Sequence, residues 1–91
     1  MNIKVAIVIP CYKANGKVGH LMDSLFSIIE SLKKKCDINV YLVNDSCPLK
    51  SWEEVNFNKK LKIIHHKLNL GVGAATLTGF HQALKDGNDY F

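Results

Sequence analysis

No wholly apolar run in these 91 residues is longer than the five from Val5 to Ile9, whereas a membrane span needs roughly 18–20. No charged, apolar and then small-residue leader opens the chain, so a secretory signal is not expected. Cysteine is scarce: Cys11, Cys36 and Cys47, without a C-x-x-C pair. That scarcity argues against a disulfide scaffold and against a zinc site, and it suits a reducing cytoplasm. No internal repeat, low-complexity tract or linker interrupts the chain, and its length leaves room for one core, a domain or part of one. A formal net charge of +4 sits largely in Lys33–Lys35 and in Lys59, Lys60 and Lys62. No basic stripe interleaves with aromatics, so nucleic acid is not the expected partner. A mild positive balance suits an anionic ligand or an acidic membrane surface better.

What is present is an ordinary globular composition, 47% hydrophobic and 22% charged, arranged in alternating periods. "IKVAIVIP" (Ile3 to Pro10) is dominated by β-branched residues and reads as a fully buried strand stopped by its proline. From Val18 the period lengthens. Val18, Leu21, Met22, Leu25, Ile28, Ile29 and Leu32 recur at steps of three and four, which predicts one apolar helix face. Lys33–Lys35 close that helix, where positive charge suits the carboxyl end of the dipole. Ile38 to Val43 is a second strand, and "SWEE" (Ser51 to Glu54) resembles a capping box opening a short helix. "LKIIHH" (Leu61 to His66) is a third strand. A helix over about Ala74 to Lys85 follows, ended by Gly87 as a left-handed cap, and "DYF" turns extended again. Strands alternating with helices predict an α/β fold, three layers with helices on both faces of a parallel sheet and right-handed crossovers. The loops "PCYKAN", "NDSCPLKS" and "KLNLGVG" then gather along one edge, where ligands bind in such sheets.

Each loop carries a residue with two readings. Asp45, at the exit of the second strand, is either an Asx turn or a carboxylate that accepts hydrogen bonds from a ligand. Tyr12 either covers the end of the core or packs on a planar ring with its hydroxyl left for a polar contact. Gly71 and Gly73, ahead of a helix, either let backbone N–H groups approach an anion or belong to a tight turn with helix packing through Ala74, Ala75 and Gly79. The spacing lacks the third glycine of a dinucleotide fingerprint, since Thr76 stands there, and it follows the third strand instead of the first. His65 and His66 are neighbours on a strand and face opposite sides. They and the helical His20 and His81 read as structural or surface residues. Asp86 to Asp89 reads as a cap and turn, not a metal site.

"VAIVIPCYK", then "VYLVNDSCP", then "NLGVGAATLTGFHQALKDGNDYF" together resemble the start of a family 2 glycosyltransferase, across essentially the whole chain and in order. The resemblance implies the GT-A fold, here its Rossmann-like amino-terminal half, with residues 1–91 an incomplete nucleotide-sugar-binding portion cut at the start of strand four. It implies that Pro10, Cys11 and Tyr12 line a nucleotide-base pocket, with Asp45 and the adjoining Ser46 at the base. Asn69, Gly71 and Gly73 would shape the wall beside the nucleotide. The sequence departs from the family pattern at four positions. Asn44 stands for the first aspartate, Ser46 for glycine, Lys13 for asparagine and Ala14 for glutamate.

The same resemblance implies a nucleotide-diphospho-sugar donor, a sugar or lipid-linked acceptor, and Mg²⁺ or Mn²⁺ held by a D-x-D pair just after Phe91. No catalytic residue or metal ligand is then expected in this chain, which is expected to be inactive alone. The location implied is the cytoplasm or the cytoplasmic face of a membrane. A nucleotidyltransferase, or another α/β nucleotide binder, is the alternative, but it would want a more glycine-rich, basic loop than "PCYKANGKVG". A non-catalytic interaction domain is the third reading. The strand "VAIVI", without charge, proline or bulge to guard it, is expected to present an exposed edge and to pair with a second copy as a two-fold dimer or higher aggregate, through that strand or a swapped carboxyl terminus.

Overall fold

The three strand segments pair in parallel, each reached from the one before by a connection long enough to carry the chain back to the starting end of the sheet. The computed structural model describes residues 3–13, 16–56 and 58–91, and Ala14 lies outside them. Its elements are β1 (Ile3–Cys11), α1 (Val18–Leu32), β2 (Cys36–Asn44), a 3-10 helix (Ser51–Glu54), β3 (Leu61–His65) and α2 (Val72–Lys85). The sheet order is β1-β2-β3. In register, Cys11 pairs with Asn44 and Asn44 with His65, so the three stand in one row at the carboxyl edge.

Alternation along each strand divides the core into two layers. Ile7, Ile9, Ile38, Val40 and Leu42 meet Val18, Met22 and Ile29 of α1 on one face. Ala6, Val8, Tyr41 and Ile64 meet Ala83 of α2 on the other. The expected α/β architecture, with a helix on each face, is therefore present. Gly79 lets α2 approach closely, since a Cβ there would lie 2.3 Å from Val8 Cγ1 and 3.2 Å from Val43 Cγ2.

Three local expectations are corrected. β1 is not fully buried: only Ala6 and Cys11 are, and the rest of the strand is partly or wholly exposed. It is the edge of the sheet, whereas central β2 has five consecutive buried residues at its end. In α1, Leu21 and Ile28 are exposed and Phe26 packs against the core instead. Contact with a single sheet covers only the stripe through Val18, Met22 and Ile29, and leaves Leu21 and Ile28 on its flank. Ser51 does not cap the 3-10 helix. Lys50 precedes that helix in a left-handed conformation, and the Ser51 hydroxyl lies 3.3 Å from Cys47 Sγ.

The end of α2 follows the expectation. Gly87 (φ 82°) donates to Leu84 O and Asn88 donates to Ala83 O, at 3.0 and 3.2 Å, the paired closure of a Schellman turn. The chain then returns beside β1, where Tyr90 forms a parallel bridge with Val5. Asp89 N–H donates to Lys4 O and Ala6 N–H to Tyr90 O, both at 2.7 Å.

Candidate functional site

The register that aligns Cys11, Asn44 and His65 also sets what comes next. Asp45 N–H donates to Cys11 O at 3.1 Å, and His66 N–H donates to Asn44 O at 2.8 Å. Asp45 and His66 thus leave the sheet side by side. Beyond them lies a cavity of about 380 Å³ lined by Pro10, Cys11, Tyr12, Asp45, Asn69, Gly71 and Val72. Six of the eight residues expected at a nucleotide site line this one space. Ser46 and Gly73 are not among its lining residues.

Asp45 is 3% exposed, and its carboxylate is held from within. Oδ1 accepts the Leu70 N–H at 2.9 Å and lies 2.8 Å from His66 Nδ1. Oδ2 accepts the Gly71 N–H at 2.8 Å. The Leu70 N–H first, then His66 and the Gly71 N–H, outweigh burial and hold the carboxyl below the usual aspartate range. The Gly71 N–H, expected to be open to an anion, therefore already serves one. Asp45 itself is the carboxylate at the amino end of α2, where the helix dipole favours negative charge. Gly71 supports this with a φ of 97°, a conformation disfavoured for residues with a Cβ.

Tyr12 is 42% exposed, so its ring stands at the cavity as a surface and not as a lid on the core. The Lys13 ammonium lies 5.4 Å from that ring's centre. Lys13 and Ser46 both adopt positive φ, 53° and 55°. These are two of the positions where the sequence departs from asparagine and glycine, the residues that enter this conformation most easily. At Asn44, Oδ1 accepts the Cys47 N–H at 3.0 Å and Nδ2 meets His65 Nδ1 at 3.0 Å. An aspartate there would offer no donor to an unprotonated His65 Nδ1.

Cys47 lies behind this edge, with Sγ accepting the Lys13 N–H at 3.1 Å. Burial raises its thiol pKa, but hydrogen bonds from Ser51, Lys13 and Leu49 outweigh that and bring it to about 7. Burial, and then the neighbouring Cys47, push Cys11 the opposite way.

Sequence reasoning missed His66, Thr78 and Val72. His66 bonds Asp45 through Nδ1, and its Nε2 lies 2.8 Å from Thr78 Oγ1. The one available signal was that alternation must send either His65 or His66 toward the α2 face. Nothing local singles out Thr78 or Val72.

A second cavity, about 330 Å³, lies away from these loops and is bordered by Lys4, Lys33, Asp37 and Lys60. Its lysines are engaged within the protein: Lys60 with Asp37, Lys33 with Glu30, and Lys4 with the Asp86 carbonyl. The cavity at the strand ends is the better candidate, because residues from three separate chain segments converge on it.

The profile of glycosyl transferase family 2 matches residues 6–91. Among curated proteins, the chain is similar to a dolichol-phosphate mannosyltransferase of Pyrococcus furiosus, 26% identical over 87 residues. The match takes in 92% of this chain and 24% of that protein, so the chain spans about a quarter of the length of the relative. No solved structure matches the chain.

Proposed function

The chain belongs to glycosyl transferase family 2, and from that premise we propose that residues 1–91 are the nucleotide-sugar-binding portion of a GT-A glycosyltransferase domain. The whole enzyme would transfer a sugar from a nucleotide-diphospho-sugar to an acceptor hydroxyl. The observation that carries this reading is the convergence of Pro10, Cys11, Tyr12, Asp45, Asn69 and Gly71 on one cavity at the strand ends.

In this reading the base packs on the exposed face of Tyr12 and presents an N–H to Asp45. An ionised carboxylate only accepts hydrogen bonds. It therefore favours a base with a ring N–H at that edge, such as uracil or guanine, over cytosine or adenine, whose ring nitrogen there is itself an acceptor. Asn69 and Gly71 form the wall, with Ser46 and Gly73 supporting the loops behind it. The relative's name supports a lipid-linked acceptor over a free sugar.

Among the described residues, no three His, Cys, Asp or Glu side chains come together to hold a metal ion. In the whole enzyme, Mg²⁺ or Mn²⁺ would neutralise the charge of the donor's diphosphate as it leaves. Among the described residues, no helix is long and apolar enough to cross a membrane. We place the activity in the cytoplasm or at the cytoplasmic face of a membrane.

Calorimetric titration of the 91-residue chain with nucleoside diphosphates tests the reading. Uridine or guanosine diphosphate is expected to bind more tightly than its cytidine or adenosine counterpart. Tyr12→Ala is expected to weaken that binding about threefold to tenfold through the lost ring contact. Absence of binding to any of the four would overturn the proposal.

A further inference from the structure

Two of the three hydrogen bonds that hold the Asp45 carboxylate come from backbone N–H groups; the third comes from the His66 side chain. We propose that His66 is a positioning residue for nucleotide recognition: its Nδ1–H occupies Asp45 Oδ1, so that Oδ2 is the oxygen left to meet the ligand. The inference rests on the reading that Asp45 meets the base.

A carboxylate held below the usual aspartate range is ionised near neutrality and can only accept. His66 Nδ1, 2.8 Å from Oδ1, must therefore carry the hydrogen. In the neutral ring, Nε2 is then an acceptor for the Thr78 hydroxyl, 2.8 Å away. The His66 side chain is 8% exposed, so water has little access to compete for either nitrogen. Thr78 belongs to α2, whose close seating on the sheet at Gly79 fixes the far end of this relay.

The two carboxylate oxygens are not equally occupied. Each carboxylate oxygen has about two acceptor directions. Oδ1 uses both, on Leu70 and His66, whereas Oδ2 uses one, on Gly71. Asp45 also borders the cavity, so an entering N–H finds its unused direction on Oδ2. Without His66, each oxygen would hold one backbone N–H. The carboxylate would lose this asymmetry, and its terminal torsion, which is intrinsically broad, would be less constrained. His66 thereby acts on which base is accepted, not only on how firmly the loop is held.

The experiment measures the affinity ratio of uridine over cytidine diphosphate, and of guanosine over adenosine diphosphate, on the full chain. His66→Leu is expected to lower the preferred ratio by about fivefold or more, the scale of one lost hydrogen bond. His66→Asn, whose amide offers a donor near the position of Nδ1, is expected to restore most of it. A folded His66→Leu chain with an unchanged ratio would overturn the positioning role, and a ratio lost in Asp45→Asn alone would leave the base reading standing. An unchanged ratio in Asp45→Asn would overturn both. If His66→Leu does not fold, the ring ¹⁵N spectrum of the unaltered chain decides. A hydrogen on Nδ1 facing Asp45 supports the inference, and a bare Nδ1 with the hydrogen on Nε2 overturns it.

Discussion

Asp45 and Cys47 stand two residues apart at the exit of β2, and both are buried acids whose pKa values are lowered by hydrogen bonds, for Asp45 from Leu70, His66 and Gly71 and for Cys47 chiefly from Ser51. For Cys47, 6% exposed, the donors outweigh the desolvation that would otherwise keep a thiol protonated. Its folded pKa, about 7, lies below the ordinary thiol value of about 8.5. The sign follows from linkage: the stabilising contribution is fully present above the ordinary value and is lost as pH falls through about 7. Site-resolved alkylation with iodoacetamide should therefore show Cys47 reactivity rising with a midpoint near 7, while Cys11 titrates above the ordinary range. Ser51→Ala should move the Cys47 midpoint upward by removing one donor. Common titration of both thiols near the ordinary value would contradict this account.

At the scale of elements, α2 does two things for the site: its amino end receives Asp45, and its middle carries Thr78 to His66. Both depend on how closely the helix lies on β1 and β2. Gly79→Ala would force a Cβ to within 2.3 Å of Val8 Cγ1, an overpacking that costs about 1–3 kcal/mol. Gly73→Ala, in the first turn of the same helix, meets nothing within 4 Å and should stabilise by up to about 1 kcal/mol through helix propensity. Thermal unfolding followed by circular dichroism checks the opposite signs. Equal effects of the two substitutions would mean that α2 does not sit on the sheet at Gly79.

At the scale of the whole molecule, the outer edge of β1 is the exposed flank of the sheet. Its first part is covered by the chain itself: Lys4 O accepts from Asp89 N–H, and Ala6 N–H donates to Tyr90 O. Alternation makes Val8 N–H the next outward donor, and Pro10, which lies within β1, has none to offer. The open edge is therefore shorter than "VAIVI" implied, and it carries a proline after all. Self-pairing there, as a two-fold dimer or larger assembly, remains our proposal for the 91-residue chain. Light scattering is expected to show association that grows with concentration, strengthened by Tyr90→Pro, which removes the N–H donated to Lys4 O at 3.2 Å. A monomer for both chains at high concentration would sink it.

The order of elements, the bounds of α1 and the glycine closure of α2 were legible in the sequence, because each depends on residues within a few positions of one another. Periods of two and of three to four, a β-branched run and a glycine after a helix act locally, whatever the remainder of the chain does. The gathering of the three loops followed from parallel connection alone. What only the tertiary structure decided was which groups meet once the loops are gathered. His66 reaches Asp45 across 21 positions, and the amides of Leu70 and Gly71 reach it across 25 and 26. Periodicity assigns His65 and His66 to opposite faces but does not say which partner awaits each. Strand register placed Asn44 beside His65, and the seating of α2 brought Thr78 to His66. Local preference shaped each segment; packing between segments turned an aspartate at a strand exit into a buried, oriented acceptor.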